Sequence, residues 1–223
     1  MKYGESAFDI LYLLFAVVSG CVLLIKAKNR AEKLTGAAAL TLGVGDAFHL
    51  VPRVLNYFSG ADFTSALGIG KLVTSVTMTF FYLMLYYIWL ERFEENNGPG
   101  LKLSVWLLSA VRIILCLFPQ NGWISNSSVL EWSIARNVPF VILGALICFL
   151  FFKTRKKDAV WKPVWAYILL SFLFYVPVAA GAGFVPILGM LMLPKTVCYI
   201  LMIAVFLRSA LQGRTEPAQP GKT

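Results

Sequence analysis

The chain is poor in the residues from which metal sites and disulfide frameworks are built. It has one histidine, His49, and four cysteines, Cys21, Cys116, Cys148 and Cys198, each in a different apolar run. No Cys-x-x-Cys and no Cys/His ligand spacing occurs, which argues against a zinc site or a disulfide framework and reads the thiols as small buried apolar groups. No metal and no organic cofactor is expected. Charge is also scarce, at 14% of residues, and acids are the scarcer sign: 11 Asp and Glu against 20 Lys and Arg, a net charge of +9. Soluble domains carry ~25% charged residues. The basic surplus comes with no recognised nucleic-acid motif or exposed basic domain, so no nucleic-acid partner is expected. No internal repeat is visible, which leaves an inverted-repeat transporter without support. The first apolar stretch is too long for a cleaved signal peptide and carries Asp9 where a positive n-region would stand.

What the chain has in abundance is apolar sequence, 59% of its residues. Seven segments approach or exceed the ~20 mostly apolar residues of a membrane crossing, near 6–27, 34–57, 64–90, 101–119, 129–152, 160–181 and 184–208. The pattern predicts an all-α polytopic membrane protein, integral to a bacterial cytoplasmic membrane. A single seven-helix domain spans 1–211, and a disordered polar tail follows over 212–223. Gly98-Pro99-Gly100 marks the turn between the third and fourth segments. The Tyr and Trp residues near segment ends, among them Tyr86, Trp89, Trp106, Trp123 and Trp161, read as an interfacial belt.

The connections alternate in charge. Lys26, Lys28, Arg30 and Lys33 lie after segment one, Arg92 and Lys102 flank the third connection, and Lys153, Arg155, Lys156, Lys157 and Lys162 lie after segment five. Arg208, Arg214 and Lys222 follow the last segment, whereas the connections near 58–63, 120–128 and 181–184 have no Lys or Arg. The positive-inside rule then puts the N-terminus outside and the C-terminus in the cytoplasm, as an odd number of crossings requires. Asn126-Ser127-Ser128 matches a glycosylation acceptor on the outer side, a short pattern that arises often by chance.

Five bases fall inside the apolar segments: Arg53, Lys71, Arg112, Arg136 and Lys195. A charge at mid-membrane costs at least ~2.5–3.5 kcal/mol on insertion scales, so each needs a partner, a cavity or a function. At ~1.5 Å of rise per residue they occupy the central and outer zones. Asp9, Asp46 and Glu131 are the acids within reach, so cations outnumber anions there. Asp46, His49 and Arg53, at i, i+3 and i+7, share one helical stripe. They read either as an acceptor–imidazole–guanidinium relay able to move a proton or as an ion-pair ladder that positions helices. Pro139 beside Arg136 and Pro194 beside Lys195 read as local loosening of segments five and seven that presents a base to a site. Lys71 can instead snorkel to the outer surface.

The run Gly45-Asp46-Ala47, continued by Leu50, Pro52 and Arg53, resembles the early Gly-Asp motif of the YhhN-type lysoplasmalogenase family. That resemblance implies a multi-spanning enzyme that hydrolyses the vinyl-ether bond of lysoplasmalogens. Family members have eight spans and a later Ser-Asp-type motif; this chain shows seven segments and no acid in the last two. A lysine in the seventh segment also invites comparison with microbial rhodopsins, but the third segment holds no acid to serve as Schiff-base counterion.

These features point to a basic outer-half cavity binding an anionic amphiphile, such as a lysophospholipid, or a small anion, through Arg53, Arg112, Arg136, Lys195 and Lys71. Asp46 and His49 are the acid–base pair if hydrolysis follows. The competing expectation is a small-anion or proton-coupled transporter, or a seven-helix ligand sensor, using the same pocket without covalent chemistry. A structural subunit with internally paired charges is a third. Membrane lipid is the expected partner, and self-association is open.

Overall fold

Local signals set several helix ends. Asn29 Oδ1 accepts the Glu32 N–H at 2.9 Å while the Glu32 carboxylate accepts the Lys28 N–H at 2.7 Å, a reciprocal cap that starts the second helix. That helix stops at Gly60, whose φ of 65° is the left-handed conformation in which glycine has no steric penalty. Pro99 takes the first position of the fourth helix, where its missing N–H costs nothing. The computed structural model describes residues 2–95, 98–127, 129–181 and 184–212. Its helices are α1 (Lys2–Lys26), α2 (Arg30–Ser59), α3 (Thr64–Phe93), α4 (Pro99–Leu117), α5 (Leu130–Thr154), α6 (Val164–Gly181) and α7 (Met192–Gln212), with 3-10 turns at Pro119–Asn121 and Pro186–Leu191. Seven helical spans, the last counted from Ile187, are long and apolar enough to cross a membrane. By that measure this is an all-helical integral membrane protein.

Consecutive helices pack on one another, and α7 returns against α1 and α2 to close the bundle; α3 also touches α5. The α2–α3 contact is built on glycine. A Cβ at Gly70 would run into the Phe48 carbonyl, and one at Gly45 into the Thr77 side chain. Lipid tails give helices no hydrophobic reason to associate, so this close backbone approach is what holds the pair.

The core is aromatic. Phe81, Tyr82, Tyr86, Trp89, Phe140 and Phe206 are all buried. Trp89 Nε1 donates to the Leu150 carbonyl at 3.0 Å and to Thr154 Oγ1 at 3.1 Å, and Trp161 Nε1 donates to Ser209 Oγ at 3.0 Å. Those two tryptophans, with Tyr86, are core residues rather than an interfacial belt; of the belt expected from sequence, Trp106 does remain exposed.

Three further expectations change. α1 begins at Lys2, so Glu5 joins the spanning helix. Residues 155–163 form turns, α6 starts at Val164, and a 3-10 turn precedes α7. Pro194 therefore sits in the first turn of α7, where a proline breaks no helical hydrogen bond, and the expected loosening of the seventh helix at that point does not arise. Of the cysteines, all free, Cys116 and Cys198 are buried, Cys148 is half-buried and Cys21 is exposed. The expected polar tail, from residue 213 onward, lies outside the described residues, as does Ser128 of the glycosylation pattern.

Candidate functional site

Two facing stripes of polar residues run along α1 and α2. On α1 they are Glu5, Asp9 and Tyr12; on α2, in the opposite direction, they are Tyr57, Arg53, His49 and Asp46. The antiparallel register pairs them rung by rung. Tyr57 Oη donates to Glu5 at 3.2 Å, near the end of the bundle where α1 starts. Arg53 Nη2 donates to Asp9 at 2.6 Å and lies 3.3 Å from Glu5. Deepest, Tyr12 Oη donates to Asp46 Oδ2 at 2.7 Å. Arg53 and Glu5 are each 25% exposed while Asp9 is 4% exposed, so the ladder runs from a wet rim to a dry interior.

The stripe on α2 is therefore not bonded along itself. Each member reaches a different neighbour, and His49 turns to α3, where its Nδ1 lies 3.0 Å from Thr74 Oγ1. Thr74 in turn donates to the Gly45 carbonyl at 3.0 Å. Between these stripes and the start of α7 lies a cavity of about 40 Å³ lined by Glu5, Asp9, Asp46, His49, Arg53 and Lys195, together with Thr74 and Thr196. Lys195 is buried, and its Nζ lies 4.9 Å from the centre of the Tyr175 ring and 5.3 Å from that of Tyr199. Among the described residues it makes no hydrogen bond and no ion pair within 4 Å. Cation–π attraction to these two rings holds the ammonium, with Asp46 lining the same hollow.

Arg112 and Arg136 belong to a second cluster, among α3, α4 and α5, with no carboxylate in it. Arg112 Nε donates to Thr79 Oγ1 at 3.0 Å, and its Nη1 donates to the Arg136 carbonyl at 2.8 Å and to Asn137 Oδ1 at 2.9 Å. Its guanidinium stacks 3.8 Å from the centre of the Phe140 ring. Pro139 has no N–H to give the Ala135 carbonyl, and the guanidinium takes the neighbouring Arg136 carbonyl in that same loosened turn. Arg136 Nη1 donates to Asn121 Oδ1 at 2.6 Å and its guanidinium lies over Trp123 at 4.5 Å. Asn121 also caps α4, its Nδ2 donating to the Leu115 and Phe118 carbonyls, both at 2.8 Å. Lys71 is exposed and donates to Asn126 Oδ1 at 2.8 Å, which occupies the side chain of the expected glycosylation acceptor.

The structure thus brings Asp46, His49, Arg53 and Lys195 around one cavity and holds Arg112, Arg136 and Lys71 away from it. The surplus of cations expected in a shared hollow is absent: three acids line it against two bases. Glu5 and Tyr12 were missed because Glu5 was placed before the first span and Tyr12 read as apolar; their spacing of i and i+7 around Asp9 was the available signal. Tyr175 is a further link, resting on Lys195 and donating from Oη to Asn137 Oδ1 at 2.6 Å. Comparison with protein-family models, with curated proteins and with solved structures finds no match.

Proposed function

We propose that this integral membrane protein exchanges protons through the cleft that ends at Asp46 and Lys195, as a proton-coupled transporter. The observation that carries the reading is the charge of the cleft. Among the residues that line it, Glu5, Asp9 and Asp46 outnumber Arg53 and Lys195 by one when His49 is counted neutral. Negative charge in the dry part of the cleft, at Asp9 and Asp46, is costly, and a proton on Asp46 or His49 is the smallest group that relieves it. The size of the hollow supports the same reading. About 40 Å³ has room for little more than one water at ~30 Å³, far below the ~300–1,000 Å³ of pockets that enclose drug-sized ligands.

The basic connections at 26–33 and 153–162 lie at the opposite end of the bundle from the Glu5 rim, so the positive-inside rule orients the cleft toward the exterior with the N-terminus outside. Protons then enter past Glu5, Asp9 and Arg53. Ala16, Leu42 and Phe81, on α1, α2 and α3, are buried core residues, and a transporter open to one side needs such a packed core below its site. The test is solute-dependent acidification of proteoliposomes loaded with a pH dye and supplied with pools of small acids, amines and sugars. Asp46→Asn is expected to abolish it. No response above protein-free vesicles from any pool, or an undiminished response in Asp46→Asn, overturns the proposal.

A membrane-embedded hydrolase acting on a lysophospholipid-type substrate is the second reading, favoured by the Gly45-Asp46-Ala47 run and by Asp46 and His49 lining one hollow. Here head-group recognition falls to Arg53 and Lys195, because Arg112 and Arg136 are occupied by neutral oxygens elsewhere. It requires the cleft to widen on binding. Turnover of lysoplasmalogen or lysophospholipid micelles by the purified protein, lost in Asp46→Asn, would put this reading first.

A further inference from the structure

A second hollow lies on the outer face of the bundle between α5 and α6. It is a groove of about 590 Å³ walled by side chains such as Ala145, Phe149, Leu169 and Leu173, with Gly144 and Phe172 at its base. The glycine lets the Phe172 ring lie close against α5, since a Cβ at Gly144 would fall on that ring. Two lining side chains carry a heteroatom: Trp165, at one end, and Cys148, which is turned inward with its Sγ donating to the Trp165 carbonyl at 3.3 Å. The lining runs over residues 141–152 of α5 and 165–177 of α6. At ~1.5 Å per residue that is about 16–18 Å, half of a ~30 Å hydrocarbon core. A groove of that length, apolar throughout and set on two spanning helices, matches one acyl chain of one leaflet.

At one end the groove stops at Phe152 and Trp165, whose rings meet edge to face with centroids 5.0 Å apart. Immediately beyond lie the last turn of α5 and the α5–α6 connection, which together carry five bases. Two of them are engaged: Lys157 Nζ donates to Glu95 at 2.8 Å, and the Arg155 guanidinium stacks 3.6 Å from the Phe152 centroid while its Nη1 donates to the Phe152 carbonyl at 2.6 Å. The other three, Lys153, Lys156 and Lys162, are exposed and make no hydrogen bond or ion pair among the described residues. Three ammonium groups that no hydrogen bond or ion pair ties down, of which Lys153 also feels the more distant Glu95 carboxylate, stand where the head group of a chain in the groove would emerge. Basic pockets between spanning helices are a known form of anionic-lipid recognition.

We infer that the α5–α6 groove and the Lys153–Lys162 connection together form a binding site for an anionic phospholipid. The chain sits against Ala145 and Leu173, and the phosphate meets Lys153, Lys156 and Lys162. Every phospholipid brings an acyl chain, so the lysines, not the groove, carry the selectivity. This site is separate from the charged cleft and does not depend on the reading given to that cleft.

The test is native mass spectrometry of the detergent-purified, delipidated protein offered equimolar phosphatidylglycerol and phosphatidylcholine with identical chains. Phosphatidylglycerol is expected to be retained about tenfold more. K153Q/K156Q/K162Q is expected to lower its retention to the phosphatidylcholine level, and Ala145→Phe, which fills the groove from its lipid-facing side, to lower retention of both lipids. Free glycerol phosphate is expected not to compete. All variants alter exposed positions, and an unchanged melting profile confirms folding. Equal retention of the two lipids by the wild type, a phosphatidylglycerol preference that survives the triple substitution, full retention in Ala145→Phe, or competition by glycerol phosphate overturns the proposal.

Discussion

Arg53 and Arg112 are the same residue type in one bundle, and their surroundings hold them in opposite ways. Arg53 meets two carboxylates, Asp9 and Glu5, at a partly wet rim. Arg112 is almost completely buried, yet it is surrounded by a threonine hydroxyl, an amide oxygen, a backbone carbonyl and a phenyl face, none of them charged. The first arrangement leaves protonatable acids beside a cavity, as a proton path requires. The second has no titratable partner and ties α3, α4 and α5 together. A buried guanidinium is therefore a functional signal only when its acceptors are read with it. Its weak hydration and fork of donors also suit it to neutral oxygens in a dry interior.

The largest expected effect comes from breaking the neutral cluster while leaving its charge in place. Asn137→Leu removes an acceptor from both Arg112 and Tyr175 and should cost about 2–4 kcal/mol, since each buried donor left with one acceptor fewer costs roughly 1–3 kcal/mol. Arg112→Met, which removes the charge and keeps the volume, should cost less. Thermal unfolding of the two variants in one detergent ranks them, and the reverse order would mean that the cluster does not exist to satisfy Arg112.

Next in size is Asp9→Asn. It takes the shortest carboxylate contact from Arg53 and leaves Glu5 as a substitute, so a loss of about 1–3 kcal/mol is expected, with a visibly lower melting temperature. Lys195→Met should leave stability unchanged or slightly raised, because an apolar side chain suits Tyr175 and Tyr199 at least as well. In the same variant the proposed proton response should disappear. A large drop in melting temperature would instead make Lys195 a structural residue like Arg112.

The smallest effect belongs to the far end. The Lys157 ammonium, bonded to Glu95, holds that carboxyl below its usual range. A depressed carboxyl pKa means that the stabilisation is present at neutral pH and fades as acid protonates Glu95. Lys157→Gln should therefore shift the melting temperature slightly at pH 7 in low salt and not at all below the folded-state pKa of Glu95, since exposed pairs contribute only about 0.2–1 kcal/mol and are screened. Equal shifts at both pH values would assign the effect to packing.

Helix number was legible because twenty apolar residues in a row have few other fates, and six of the seven starts fall within about four residues of expectation. The poorest start, of α7, is displaced because apolar composition continues through the 3-10 segment Pro186–Leu191 that precedes it. Asp46 and Lys195 were legible as candidates because charge is expensive in lipid, wherever it is. Their separation from Arg112 and Arg136 was not, because hydropathy records depth along a helix and carries no information about the direction in which a side chain faces. The burial of Trp89 and Trp161 was hidden for the same reason: an aromatic near a helix end looks alike whether it meets head groups or a neighbouring carbonyl.

The sequence by itself determined that this chain forms seven apolar helices with ionisable groups inside them, since hydrophobic length and the cost of a buried charge are properties of the chain alone. Only the tertiary structure decided that Glu5, Asp9 and Tyr12 face Arg53 and Asp46, that Lys195 shares their cavity, and that two arginines are satisfied without an acid. Those pairings depend on helix rotation and register, which are set by glycine contacts such as Gly70 against Phe48 between residues distant in the chain.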